Sequence, residues 1–201
     1  MENTKLIRSA SVIDRILKIL QGFSVAGVIV AAIFIPLTAI FGERVIAGSD
    51  SLEIGALQVK LAGTPESYLD IPNIKVSIIV ALIGMLLVAA AAWYCLKVLR
   101  EILSPMKAGS PFAEGISGKI RKLAWAVLIG GGIAEVGKLL SEIFEVRAYQ
   151  IERLLNPEAI EAFTYNISID FWFVVAALIL FFLSYVFRCG EALQKEADET
   201  L

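Results

Sequence analysis

The chain has 201 residues, of which 58% are hydrophobic and 19% charged, with a formal net charge of −2; soluble domains carry roughly a quarter charged residues. It contains no histidine, which excludes zinc sites of the Cys/His kind, Ser-His-Asp triads and histidine proton relays. One compact membrane domain, residues 1–201, fits this length; two would not.

Residues 1–21 come first. Leu6, Ile7, Ala10, Ile13, Leu17 and Leu20 recur at helical spacing, with Arg8, Arg15 and Lys18 elsewhere around the helix. The pattern fits an amphipathic N-terminal helix on the anionic inner leaflet and, equally, a cytoplasmic extension of the first span. That span, about residues 22–41, has the roughly 20 apolar residues that crossing a bilayer requires. Pro36 within it removes a backbone donor and is expected to kink the helix near Ala32. No small-residue cleavage site follows before Glu43, so the stretch reads as a retained helix and not a signal peptide.

In the outer loop, residues 42–75, Leu52 and Ile54, then Leu57, Val59 and Leu61, alternate with polar or small residues around Gly55 and Ala56. Alternation about a glycine predicts a short hairpin. Tyr165, Ile167 and Ile169 repeat the rhythm in the second outer loop, residues 145–170, where they offer a third strand. A lone two-stranded hairpin is marginal, so a cap of this kind needs such support.

The second span covers about residues 76–99 and leads into a cytoplasmic loop, residues 100–122. There Ser110 is placed to cap a short helix opened by Pro111, and a basic helix with Lys119, Arg121 and Lys122 follows. The third span is about 123–144, the fourth about 171–187, and the tail 188–201. The predicted fold class is therefore an all-α integral membrane protein: four transmembrane helices, an amphipathic N-terminal helix and a small extracytoplasmic β-hairpin cap. Trp93, Trp125 and Trp172 lie near span ends, where indoles favour the interface. Cys95 and Cys189 read as small packing residues, since no C-x-x-C spacing is present.

Orientation follows from the basic residues. Lys5, Arg8, Arg15 and Lys18, then Lys97, Arg100, Lys107, Lys119, Arg121 and Lys122, then Arg188 and Lys195 fall on one side. The other side has Arg44, Lys60, Lys75, Arg147 and Arg153 among many acids. By the positive-inside rule both termini and the middle loop are cytoplasmic.

The third span is unusual because its apolar part gives way to Glu135, Lys138, Glu142 and Glu145. At 100° per residue these form one polar stripe within an arc of about 80°, and Glu135 lies roughly 18 Å along a core about 30 Å thick. An acid facing lipid at that depth costs about 3 kcal/mol, so the stripe is expected to face protein or water. Lys138 is the natural partner of Glu135, and Lys75 has the reach for Glu142 or Glu145. Either the pair is neutralised in a helix that leaves the membrane early, or the stripe lines a hydrophilic path. Gly130, Gly131 and Gly132, with Gly137 beyond, permit close approach of another helix or a hinge.

The tail reads Phe187-Arg188-Cys189-Gly190-Glu191-Ala192-Leu193-Gln194-Lys195-Glu196-Ala197-Asp198-Glu199-Thr200, and the middle loop carries Gly109-Ser110-Pro111-Phe112 and then Ile120-Arg121-Lys122-Leu123-Ala124-Trp125. Together they resemble the bacterial membrane family called domain of unknown function 2975, over roughly Lys75 to Leu201. The chain departs from that pattern at Gly115 and Ile116, where the family tends to have an acidic residue and an asparagine. The resemblance implies a four-span protein of the bacterial cytoplasmic (inner) membrane, often encoded beside a small helix-turn-helix regulator, with no established activity.

Arg188 and Glu191, and Glu191 and Lys195, are at pairing distance on a helical tail. Pro111, Phe112, Arg188, Gly190, Glu196 and Asp198 form the expected cytoplasmic docking surface, with Phe112 as its apolar anchor. The leading expectation is a sensor or regulatory scaffold coupled to a cytoplasmic partner; the alternative is an oligomeric channel or a small-molecule or ion transporter using the stripe. No paired-carboxylate motif or nucleophile with a base is visible, so no enzyme, cofactor or metal is expected. The expected partners are the lipid bilayer, further copies of the chain and the regulator, with no direct contact to nucleic acid.

Overall fold

The structure, a computed structural model, describes residues 2–47, 51–54, 57–60, 70–108, 113–148 and 169–199. Among the described residues there are four long helices, α1 (Glu2–Ala47), α2 (Ile71–Lys107), α3 (Ile116–Ala148) and α4 (Trp172–Glu199), and two short strands, β1 (Ser51–Ile54) and β2 (Leu57–Lys60). Among the described residues four helices are long and apolar enough to cross a membrane, which makes this a multi-pass membrane protein.

All four helices outrun the apolar stretches that define them. The 46 residues of α1 rise about 69 Å, more than twice a hydrocarbon core of about 30 Å. Residues 2–21 are its first turns, so the amphipathic segment is an extension of the first span and not a separate helix. The helix also continues through Pro36. One lost hydrogen bond does not end a helix whose other backbone groups, in lipid, have no alternative partner.

β1 and β2 pair antiparallel, with Ser51 opposite Lys60 and Ile54 opposite Leu57. Of the residues expected to supply a third strand, Tyr165 and Ile167 lie outside the described residues, and Ile169 has no regular structure. Ser110 and Pro111, the expected start of a short loop helix, also lie outside them.

The chain divides into two compact units. The first comprises residues 1–28, 87–133 and 170–201. Within it Asp14 meets Arg100, Lys119 meets Glu101, and Trp125 meets Phe181 edge-on at 5.4 Å between ring centroids. Sequence numbers rise on one helix as they fall on the next, so consecutive helices run antiparallel here. Val98, Ile102, Ile116, Ile120 and Leu123 are buried together, with Leu180 and Phe187 of α4 packed against them. Close approach is set by glycine: a Cβ at Gly131 would lie 2.3 Å from Cβ of Phe173, and one at Gly130 would lie 2.9 Å from Cβ of Ala91. Gly132 has only a ring atom of Phe173 at 4.0 Å.

The second unit comprises residues 29–86 and 134–169. There α2 and α3 meet at Gly84 and Gly137, where a Cβ on Gly137 would sit 3.5 Å from Cα of Gly84. Ser77 Oγ donates to the Ser141 carbonyl at 3.2 Å. Small residues and isolated polar bonds are the expected contacts between helices in lipid, because burying an apolar side chain against another helix gains little over burying it in acyl chains.

Candidate functional site

Polar side chains gather where α3 begins, in the first unit. Gly115, at φ +86°, makes the turn that starts the helix, a conformation a Cβ would strain. The first backbone N–H groups of a helix have no partner of their own, and its N-terminus carries partial positive charge. Glu191 of α4 answers both: its carboxylate accepts from Ser117 N–H at 2.7 Å and from Ser117 Oγ at 2.8 Å. Ser184, one of the few buried polar residues, donates its hydroxyl to the Ser117 carbonyl at 2.8 Å. Glu191 is thus committed to α3, and Lys195 reaches Glu199 at 3.9 Å in place of the expected Glu191.

Beside this cap lies a groove of about 430 Å³ whose lining includes Ala113, Glu114, Arg188, Glu191, Lys195 and Glu199. Of the docking residues read from the sequence, Arg188 lines it. Gly190 and Glu196 lie on the same helix, half-buried and exposed respectively. Asp198 is on α4, but its side chain, like all of Pro111 and Phe112, is outside the described residues. Glu114 and Ser117 belong to this site and were not anticipated. The sequence signal for Ser117 was a serine one residue into a basic helix, with an acid available on the tail.

A second polar cluster joins α1 to α2. Arg100 Nε donates to Asp14 Oδ1 at 3.0 Å, Lys107 Nζ donates to Asp14 Oδ2, and Arg100 Nη1 donates to Gln21 Oε1 at 2.9 Å. Asp14 precedes the first apolar stretch. The Lys107 ammonium, and then the Arg100 guanidinium, hold its carboxyl below the usual carboxylate range.

The polar stripe of α3 lies in the second unit. Lys138 Nζ is 3.5 Å from Glu135 Oε1, with the Glu135 side chain 13% exposed and that of Lys138 37%. Glu142 is half-buried on the same helix, and the side chain of Glu145 is outside the described residues. The Lys75 ammonium binds Glu43 of α1 at 2.8 Å. Among the described residues no three His, Cys, Asp or Glu side chains are grouped to hold a metal ion.

No protein-family model matches the chain, and comparison with curated proteins and with solved structures gives no match. Function must be argued from the residues.

Proposed function

We propose that this protein is a regulatory scaffold or sensor of the bacterial inner membrane, whose cytoplasmic end docks a soluble partner. The observation that carries the proposal is the groove beside the α3 cap. It is concave, lined by side chains of both charges, and framed by helix ends that Glu191 and Ser184 hold together. Such a surface suits a charged, peptide-like element of a partner. The resemblance to domain of unknown function 2975 makes a small helix-turn-helix regulator the favoured partner.

The uneven distribution of basic residues supports a cytoplasmic location for both termini and the middle loop. On that orientation the hairpin of β1 and β2 belongs to an extracytoplasmic cap. Many large side chains along the helices are exposed, which suits lipid contact and self-association into an oligomer. The alternative of transport along the stripe draws no separate support, because Glu135 and Lys138 already neutralise one another.

The test is co-purification with a helix-turn-helix regulator encoded beside the gene, comparing the parent with Glu114→Arg and Glu199→Arg. Capture by the parent that either variant weakens at least tenfold is the expected result. Failure to capture the regulator under conditions that recover a known membrane complex would refute the docking function.

A further inference from the structure

A second groove, of about 380 Å³, lies between α2 and α3 in the first unit. Its lining is almost wholly apolar and includes Ala91, Tyr94, Trp125, Gly130 and Ile133, with one charged residue, Lys122. The floor is where Gly130 meets Ala91, close enough that a Cβ on the glycine would lie 2.9 Å from that of the alanine. Trp125 and Tyr94 stand exposed along it. Lys122 is exposed at one end, and among the described residues it makes no ion pair.

The lining's chemistry selects the occupant. From Lys122 to Ile133 the helix rises about 16 Å. The ammonium at one end and the apolar channel running from it match an anionic headgroup and its acyl chain. Trp and Tyr flanking the lysine mark the depth at which headgroups lie, and a lysine on an apolar stem reaches that level readily. On α2, Lys97 lies over the ring of Trp93, 5.7 Å from its centroid, adding positive charge to the same helix end.

We infer that this groove binds an anionic phospholipid, with the phosphate on Lys122 and one acyl chain along α2 and α3 over Ala91 and Gly130. Basic residues at the ends of apolar inter-helix grooves hold anionic headgroups by the same attraction that draws polybasic segments to the inner leaflet. The inference depends on the chain crossing a membrane and not on the partner-docking groove, so either can fail without the other.

The test uses the full chain in phosphatidylcholine nanodiscs containing a trace of phosphatidylglycerol with a photoreactive diazirine near the end of one acyl chain. Adducts are expected on the α3 segment 129–133 and near Ala91. Replacing one lysine at the membrane surface is expected to lower the yield about fivefold in Lys122→Gln, and Lys122→Arg is expected to restore it. A phosphatidylcholine probe with the same tail should label the groove no better than the phosphatidylglycerol probe labels Lys122→Gln. Both probes should label α1 at Phe23, an exposed position with no cation beside it in sequence, equally well. Equal labelling of the groove by the two lipids, or an unchanged yield in Lys122→Gln, would overturn the inference. So would an unlabelled groove whose Ile129→Cys variant forms a disulfide between two copies, since a second chain would then cover it.

Discussion

The two halves of α3 were built by different rules. Residues 116–133 bury Ile116, Ile120, Leu123 and Ala124, receive a carboxylate cap from α4, and press Gly131 against Phe173. Residues 134–148 bury no described side chain and carry the charged stripe, and they meet α2 at Gly84 and Gly137 and through the Ser77 to Ser141 bond. Hydrophobicity does not make the difference, since lipid accepts an apolar surface at no cost. The first half also holds polar groups that find their partners on α4: the helix start and Ser117, met by Glu191 and Ser184. α4 begins at Trp172, and its Phe173 lies against Gly131, so the charged half of α3 starts one turn beyond that contact.

Gly131→Ala breaks that comparison most severely. The added Cβ meets Cβ and Cγ of Phe173 at 2.3 and 2.4 Å, atoms that cannot swing away without moving α4. Thermal unfolding in detergent should register a loss of about 3 kcal/mol, while Gly132→Ala should cost nothing measurable and Gly130→Ala should fall between. Equal effects at the three positions would mean that contact with the neighbouring helices does not set the cost, since the gain in helix propensity from Gly to Ala is the same at each.

Next in size is Glu191→Ala, which strips two charge-assisted acceptors from the start of α3 and should cost about 1.5 kcal/mol. A double-mutant cycle with Ser117→Ala should recover a coupling of similar sign; additive effects would remove the cap from the structure's support. Asp14→Asn should be milder and pH-dependent. The carboxyl of Asp14 is depressed in the folded state, so the stability it adds is present above the ordinary carboxylate pKa of about 3.9. It is lost as pH falls through the lower folded-state value. The parent and Asp14→Asn should therefore differ at neutral pH and converge in acid, and raised salt should also narrow the gap.

The smallest effect is expected in the polar half. A cycle of Glu135→Gln and Lys138→Met should show a coupling of about 0.5 kcal/mol, as befits a pair with one partly exposed member. Liposomes containing either variant should conduct ions no differently from the parent. A flux that Glu135→Gln or Lys138→Met abolishes would replace the paired stripe with a conducting one.

Four apolar helices were legible in the sequence because length and hydropathy alone define them, and the Glu135 to Lys138 pair was legible because both members share one helix face. The partners of Lys75 and Glu191 were not. Each has a plausible mate three or four residues away or on the same side of the membrane, but the observed partners lie 32 and 74 residues distant. Local spacing carries no trace of such a tertiary contact. The glycine run signalled close approach without saying which glycine bears it, since that depends on where Phe173 falls on a helix some forty residues later. Asp14 was overlooked as one acid in a basic segment, although a lone acid among cations is the signal for an ion cluster.

The orientation of the packed, basic end underlies the docking proposal, and Cys189 reports on it directly. It is exposed on α4, whereas Cys95 is half-buried. Labelling with a membrane-impermeant maleimide should modify Cys189 in inverted vesicles and leave it untouched in right-side-out ones. Modification from the outside would place the docking groove on the wrong face of the membrane and contradict the proposal.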